Sequence, residues 1–213
     1  MMGAVLLYYI NDLFTITAEI IWGYGEMEQL IRKELEEATE LHTKLYSLIP
    51  GMIGAAEAII HSYRNGGKLI AFGNGGSAAD AQHIVAELTG RFLRERSPLP
   101  AIALTTNTSV LTAIANDYSY EQVFSRQVRA FAGRNDTVIG ISTSGKSRNV
   151  IDALSAARDA GAVTVGMTGI NGFPTGTVDI ELKVPSSNTQ RIQECHILIG
   201  HIICGLVESS LFK

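Results

Sequence analysis

The chain has 213 residues, 46% of them hydrophobic and 18% charged, which favours one folded domain with a sizeable core and argues against disorder. Its formal net charge of −4 excludes a broad electrostatic attraction to nucleic acid or anionic lipid. Any anionic ligand must therefore be held by local groups. Cys195 and Cys204 are nine residues apart on one predicted helix, too far for a disulfide, so we expect reduced thiols in a cytoplasmic protein.

The first 26 residues differ from the rest of the chain. Their apolar run has no preceding Lys or Arg and no following cleavage pattern, which argues against a secretion signal, and it is too short for a membrane helix. An amphipathic segment begins at Met27. We predict that residues 1–26 are an N-terminal extension, with Met27 the natural start, and that residues 27–213 form one domain including its N-terminal helices.

The next segments alternate between helical and apolar patterns. Charged residues and leucines at helical spacing predict a helix over 28–47, and a second helix follows Pro50 and ends near Arg64. A last helix is predicted over 189–211. Five short apolar runs lie between them, at residues 68–72, 101–104, 136–141, 162–167 and 178–184.

These apolar runs lack the alternation of a half-exposed strand, which indicates strands buried on both faces. Helical stretches separate them, as in a parallel sheet with helices on either side. The sequence therefore predicts a doubly wound, three-layer α/β sandwich with a five-stranded parallel sheet, preceded by N-terminal helices.

Two predicted strand ends carry loops suited to an anion. Gly73-Asn-Gly-Gly-Ser77 lets backbone N–H groups approach a ligand, and Ser142-Thr-Ser-Gly-Lys-Ser147 adds four hydroxyl groups. Each loop precedes a helix, whose N-terminus attracts negative charge. Either loop alone could be an ordinary strand-to-helix turn, but two in one sheet predict phosphate binding at the carboxyl ends of the strands.

The second loop also suggests an alternative. Residues 140–147 fit the nucleotide-binding pattern G-x-x-x-x-G-K-[ST] between a strand and a helix. A nucleotide enzyme of this type needs an acidic residue at the end of a neighbouring strand to hold Mg²⁺. The strand at 162–167 supplies none, and we place Asp179 inside the next strand. We therefore rank a P-loop nucleotide-binding protein below other phosphate-binding proteins.

The helix after the first loop carries a possible metal-binding pair. His83 and Glu87 are four residues apart and share one face of the helix, a spacing that suits Zn²⁺. The alternative is a plain pair of residues on the helix surface.

The last helix carries Gln193, His196 and His201 among apolar residues. We expect His196 to be a buried core residue. Gln193 and His201 are eight residues apart, about 12 Å along a helix, and do not easily reach one ion together. Either the helix begins irregularly near Gln193, or residues of different subunits converge. We predict that the site depends on an oligomer.

Four segments together resemble the phosphoheptose isomerases (sedoheptulose-7-phosphate isomerases) of the sugar isomerase (SIS) domain superfamily. They are residues 73–91, 115–117, 141–145 and 191–201. The similarity extends over about residues 27–212.

The resemblance implies an aldose–ketose isomerase that converts sedoheptulose 7-phosphate to D-glycero-D-manno-heptose 7-phosphate through an enediol(ate), with Glu87 as base and His201 as acid. It implies a homotetramer with active sites between subunits, and one Zn²⁺ per subunit held by His83, Glu87, Gln193 and His201. It also implies a set of substrate-binding residues, which are Asn74, Gly75, Gly76, Ser77, Glu87, Asn116, Asp117, Ser142, Thr143, Ser144, Ser147 and Gln193.

Two positions depart from the family pattern. Lys146 replaces an Asn of the second loop, and Gln190 stands where some members carry an Asp. A related class of SIS-domain proteins offers a different function, a regulatory adaptor that binds a replication initiator. Because Glu87 and His201 are both present, and an adaptor needs neither, we favour the enzyme.

Overall fold

The computed structural model describes the backbone of residues 2–212 and the side chains of residues 23–212. The chain contains two compact units, Met1–Glu40 and Leu41–Lys213. Most side chains of the predicted extension, residues 1–26, lie outside the described residues, so its role and the predicted boundary at Met27 stay predictions.

The N-terminal part is helical. Helix α1 is followed by a 3₁₀ turn and helix α2, and Pro50 lies in the first turn of α2, where its missing N–H costs no hydrogen bond. The predicted break before the second helix is therefore confirmed. Helix α2 ends at Arg64 with Asn65 as its C-cap, and Gly66 follows with φ of 74°, in the left-handed region that favours glycine. The bounds are Met2–Lys44 for α1, Leu45–Leu48 for the turn and Ile49–Arg64 for α2.

Five parallel strands form one sheet in the order β2-β1-β3-β4-β5. This confirms the predicted five-stranded parallel sheet. The strands are β1 Leu69–Gly73, β2 Ala101–Ala103, β3 Thr137–Ser142, β4 Val163–Thr168 and β5 Ile180–Lys183. The helices between and after them are α3 Gly76–Thr89, α4 Thr108–Asp117, α5 Ser125–Phe131, α6 Arg148–Asp159 and α7 Thr189–Leu211.

The sheet is covered on both faces. Leu69 and Ala71 of β1 belong to a hydrophobic cluster with residues of α2, α3 and α7, whereas Ile70 and Phe72 belong to a second cluster with residues of α5 and α6. Successive side chains of a strand point to opposite faces, so the two clusters are the two cores of a three-layer sandwich. The predicted α/β architecture is confirmed.

Two details differ from the predictions. The fifth strand begins at Ile180, so the prediction that Asp179 lies inside it is wrong. Asp179 Oδ2 instead accepts hydrogen bonds from the backbone N and the Oγ1 of Thr164, both at 2.8 Å. Asp179 thus lies before the start of β5, whereas a Mg²⁺-binding acid of a P-loop protein lies at the end of a strand. Asp179 therefore does not supply that acid. The residues between β2 and β3 had no predicted elements, yet they form α4, a 3₁₀ turn at Tyr120–Gln122 and α5.

Helix α7 is a core helix with high mean hydropathy. Among the described residues, it alone has the length and apolar composition of a membrane-spanning helix, and 44% of its most apolar stretch is buried within the protein. It packs against α2 and α3, and this burial accounts for its apolar sequence.

Candidate active site

The two predicted anion-binding loops are neighbours. Strands β1 and β3 pair directly, with Gly73 opposite Ile141, so the loops that follow them leave the sheet side by side. Gly75, with φ of 56°, caps the N-terminus of α3. Ser77, in the first turn of α3, is buried. Two helix N-termini therefore face the same edge of the sheet, as an anion site requires.

The second loop contains a cluster of hydroxyl groups. Ser142 Oγ lies 3.0 Å from Ser147 Oγ and 3.5 Å from Ser144 Oγ. Ser144 Oγ also accepts a hydrogen bond from the backbone N of Lys146, while the Lys146 side chain is exposed. Thr143 is half-buried, and its carbonyl accepts a hydrogen bond from Gly169 N. The predicted hydroxyl residues are thus gathered at the start of α6.

Hydrogen bonds between side chains join the two loops. Asn74 Nδ2 donates to Asn149 Oδ1 at 2.9 Å, and Asn149 Nδ2 donates to Asn74 Oδ1 at 3.0 Å. The hydroxyl of Tyr120 donates to the same Asn74 oxygen at 3.0 Å. Neither Tyr120 nor Asn149 was among the predicted site residues, since neither belongs to a motif with known chemistry.

The predicted substrate residues Asn116 and Asp117 lie at the exposed end of α4. The Asn116 amide donates to Asp117 Oδ1 at 2.8 Å. The turn that contains Tyr120 follows directly, and Tyr120 contacts Asn74. The chain after α4 thus returns to the first loop.

His83, Glu87 and His201 form a second group of polar side chains. His83 Nε2 lies 3.1 Å from Glu87 Oε1 and 2.9 Å from His201 Nε2. One ligand atom from each of the three residues lies within 4.8 Å of the others. The predicted pair on α3 is therefore joined by His201 of α7, and the two predicted catalytic residues are close together.

This group suits a metal ion chemically. Two imidazole nitrogens at 2.9 Å either share a proton or direct their lone pairs to a common cation. Two nitrogens and a carboxylate oxygen are ligands typical of Zn²⁺. The three residues could therefore hold such an ion.

Gln193, on the same helix as His201, lies near the first loop. Its side-chain amide lies against Gly76, where a Cβ atom would come too close to Gln193 Nε2 and the Gln193 side chain would have to move. Gly76 opens α3, seven residues before His83, or roughly 10 Å along the helix. Gln193 thus adjoins the first loop and His201 adjoins His83. Because α7 is regular from Thr189 onward, the alternative of an irregular helix start near Gln193 is wrong.

Burial alters the titration of several groups near the site. His196 is fully buried, its Nε2 lies 3.2 Å from the Thr168 carbonyl, and burial lowers its pKa to about 4, so it is the core residue that we predicted. Burial raises the pKa of the Cys195 and Cys204 thiols to about 11 and about 12, which keeps these free thiols protonated. On α3, burial raises the pKa of Asp80 to about 6, against the opposing effect of His83.

A buried ion pair between Arg96, in the loop after α3, and Glu208 of α7 links the end of α3 to α7 beside the His/Glu group. Arg96 Nε lies 3.0 Å from Glu208 Oε1, and the two side chains are 1% and 2% exposed. Arg96 also donates to the carbonyl of Glu87 at 2.8 Å. The ring of Phe92, whose backbone N donates to Glu208, stacks on His201 with centroids 5.8 Å apart. No local sequence pattern indicates this network, because its partners are far apart along the chain.

Comparison with known proteins identifies the class of protein to which the chain belongs. The sequence profile of the SIS domain family matches residues 35–169. The solved structure of the phosphoheptose isomerase GmhA from Neisseria gonorrhoeae superposes with a TM-score of 0.80 at 41% identity, over 86% of this chain and 99% of that chain. The chain is thus a SIS-domain protein in both sequence and fold.

Two curated relatives define the family more narrowly. Phosphoheptose isomerase of Roseiflexus sp. (strain RS-1) is 58% identical over 168 residues, which are 77% of this chain and 84% of the relative. Phosphoheptose isomerase of Rhodospirillum rubrum is 48% identical over 186 residues, 87% of this chain and 99% of the relative. The chain belongs to the phosphoheptose isomerase family and is an isomerase enzyme, as the resemblance predicted. The enzyme is thereby favoured over the adaptor and the nucleotide-binding alternative.

The Arg96–Glu208 pair gives a prediction about stability. Burial alone would raise the pKa of the Glu208 carboxyl, but hydrogen bonds from the backbone N–H groups of Leu93 and Phe92 and from Arg96 lower it below its ordinary value. We expect Glu208→Gln to lower the free energy of unfolding by about 3 kcal/mol at pH 7, since it leaves a buried guanidinium without its counter-charge. Urea unfolding measures this change.

The contribution of Glu208 to the free energy of unfolding depends on pH. A carboxyl whose pKa is lowered in the folded state adds stability above its ordinary pKa, about 4.3, and loses it as the pH falls through the folded value. The difference between wild type and Glu208→Gln should therefore shrink below about pH 4. Glu57→Gln, at an exposed position of α2, is the control and should change little. A gap that stays constant from pH 7 to pH 3 would contradict the assignment.

Proposed function

We propose that this enzyme converts sedoheptulose 7-phosphate to D-glycero-D-manno-heptose 7-phosphate through an enediol(ate) intermediate. One observation carries the proposal: a carboxylate and an imidazole, those of Glu87 and His201, lie in one group whose ligand atoms are within 4.8 Å of one another. Aldose–ketose isomerisation needs such a pair. The names of the relatives, all phosphoheptose isomerases, support this substrate class.

Each residue has a separate task in this mechanism. The Glu87 carboxylate takes the proton from one of the two reacting carbons and returns it to the other. The His201 imidazole moves the second proton between the two oxygens, because imidazole readily exchanges a proton near neutral pH. Phe92 and the Arg96–Glu208 pair keep His201 and the end of α3 in place. The enediol(ate) thus forms and collapses without a free hydroxide or hydronium ion.

The paired loops are proposed to hold the phosphate of the substrate. The hydroxyl groups of Ser142, Ser144 and Ser147 and the N-termini of α3 and α6 supply hydrogen-bond donors there. Binding energy at the phosphate fixes the position of the reacting carbons. Asn116, Asp117 and Gln193 are proposed to contact the sugar hydroxyls.

We infer that the enzyme uses Zn²⁺, with His83, Glu87 and His201 as ligands and Gln193 as the fourth. The first three residues fit such an ion by their donor atoms and their spacing. When bound, the ion would supply a positive charge that polarises a substrate carbonyl. The protein residues perform the proton transfers.

The proposed assembly is a homotetramer with active sites between subunits. Two observations support it. Within one chain the Gln193 amide adjoins Gly76 while His201 adjoins His83, roughly 10 Å farther along α3, which favours Gln193 of a second chain as the fourth ligand. In addition, the 3₁₀ turn before α2, α2 itself and α7 carry an exposed apolar groove that a second copy would cover. Its most exposed residues are Tyr46, Ile49, Ile53, Ile202 and Leu206, 39–75% exposed.

We propose a cytoplasmic location and a small sugar phosphate as the partner, without nucleic acid or membrane. The net charge of −4 supports this proposal.

The base role of Glu87 is tested by Glu87→Gln. The amide keeps the shape of the side chain but cannot accept the proton from carbon, so we expect turnover of sedoheptulose 7-phosphate to fall by about 10²- to 10⁴-fold. Binding of the sugar phosphate, measured by calorimetry, should stay within a few-fold because the phosphate loops are untouched. Glu57→Gln is the control. Near-normal turnover by Glu87→Gln would remove Glu87 from the base role.

The metal proposal has a readout besides activity. Protein purified without chelator should contain zinc by mass spectrometry, and His83→Ala should lose it, since one of its ligands is removed. His61→Ala, at an exposed position of α2, should retain the metal. A chelator should lower both the melting temperature and the activity of the wild type. Equal zinc content in the two variants would rule out the proposed site.

Mixed oligomers test whether subunits share a site. Glu87→Gln and Gln193→Ala should each be poorly active alone. When the two variants are co-expressed, activity should return, because some sites combine Glu87 of one subunit with Gln193 of another. Glu87→Gln with His83→Ala is the control pair and should not recover, since both residues lie in one group of one chain. Lack of recovery in the first pair, or a monomer of 22.9 kDa in sedimentation, would oppose the proposal.

A further inference from the structure

We propose that Tyr120 and Asn149 are positioning residues for phosphate binding, and that both act through the side-chain amide of Asn74. This inference rests on the proposed function in one respect, namely that the paired loops bind the phosphate of the substrate. It assigns a task to two residues that lie outside the predicted site and that no motif identifies.

Asn74 and Asn149 link the two loops. Asn74 lies in the turn between β1 and α3, and Asn149 lies in the first turn of α6, directly after the hydroxyl loop. Their reciprocal hydrogen bonds, at 2.9 and 3.0 Å, are therefore a direct link between the two loops. Asn149 is only 4% exposed, so solvent does not compete for its amide. This link adds to the β1–β3 pairing that places the loops side by side.

Hydrogen bonds restrain the orientation of the Asn74 amide. Its oxygen accepts two hydrogen bonds, from Asn149 Nδ2 and from the Tyr120 hydroxyl, and its nitrogen donates one. An amide oxygen has two lone pairs and an amide nitrogen has two N–H bonds. The acceptor side is thus fully used, and one N–H is left for a ligand.

This arrangement matters for an anion. An asparagine amide is nearly symmetric in shape, so an unrestrained side chain can turn over and present its oxygen to the ligand. An amide oxygen facing a phosphate would repel it, whereas an N–H donates to it. Because Tyr120 and Asn149 both donate to the Asn74 oxygen, they stabilise the orientation that keeps this oxygen engaged with the protein.

Tyr120 can be substituted without disturbing the core. It is 59% exposed in a 3₁₀ turn, so removing its hydroxyl disturbs no packed core. Tyr118, two residues earlier, is 54% exposed and stacks on the guanidinium of Arg126 through its ring. Tyr118→Phe is therefore a matched control, which removes an exposed hydroxyl from the same segment and keeps the ring.

The experiment compares the two variants by two measurements. For Tyr120→Phe we expect KM for sedoheptulose 7-phosphate, and Kd for inorganic phosphate by calorimetry, to rise about 2- to 10-fold, the range for one lost hydrogen bond. The kcat should stay unchanged, since the proton-transfer residues are untouched. Tyr118→Phe should leave KM, Kd and kcat at wild-type values.

A double variant tests whether Tyr120 acts through Asn74. In an Asn74→Ala background the acceptor is gone, so adding Tyr120→Phe should cause no further rise in either constant. Asn149→Leu, which keeps the side-chain size without hydrogen bonds, should also raise both constants and should lose most of its effect in the Asn74→Ala background. A merely structural role would lower the melting temperature but would not be masked in this way.

The outcomes separate this inference from the proposed function. If Tyr120→Phe behaves as Tyr118→Phe does, or if its effect persists undiminished without Asn74, the positioning role is wrong. If the wild type does not isomerise sedoheptulose 7-phosphate but phosphate binding shows the expected pattern, the proposed substrate is wrong and the positioning role stands. If the wild type binds no inorganic phosphate and shows no turnover, both fail.

Discussion

The pairing of β1 with β3 is the constraint on which the rest of the site depends. Because these neighbouring strands are parallel, their two loops and the helices that follow leave the sheet at the same edge. Asn74 of one loop can therefore bond to Asn149 beside the other. A net negative protein can hold an anion at this edge, because the donors are local backbone and hydroxyl groups and need no excess of basic residues.

A second constraint brings Glu87 and His201 together. Glu87 lies near the end of α3 and His201 lies on α7, more than a hundred residues later in the chain. The Arg96–Glu208 pair joins these helices inside the protein, where breaking it would leave a buried charge. The site thus consists of two hydroxyl- and glycine-rich loops set by the sheet and a His/Glu group set by helix packing.

The sequence was informative wherever function depends on local patterns. Buried strands, helix periods and glycine-rich turns predicted the sheet, the loops and the spacing of His83 and Glu87, because all of these are set within a few residues. It was silent on Tyr120, Asn149 and the Arg96–Glu208 pair. Their contacts join positions 46 to 112 residues apart, and no local pattern distinguishes them from ordinary surface or core residues.

The regularity of α7 has a consequence for how this family can vary. Gln193 and His201 stand on one unbroken helix, each against a different part of α3. Inserting or deleting one residue between them would turn His201 by about 100° and shift it by about 1.5 Å, which would carry its ring away from His83. We therefore expect the eight-residue interval to tolerate changes of side chain far better than any change of length.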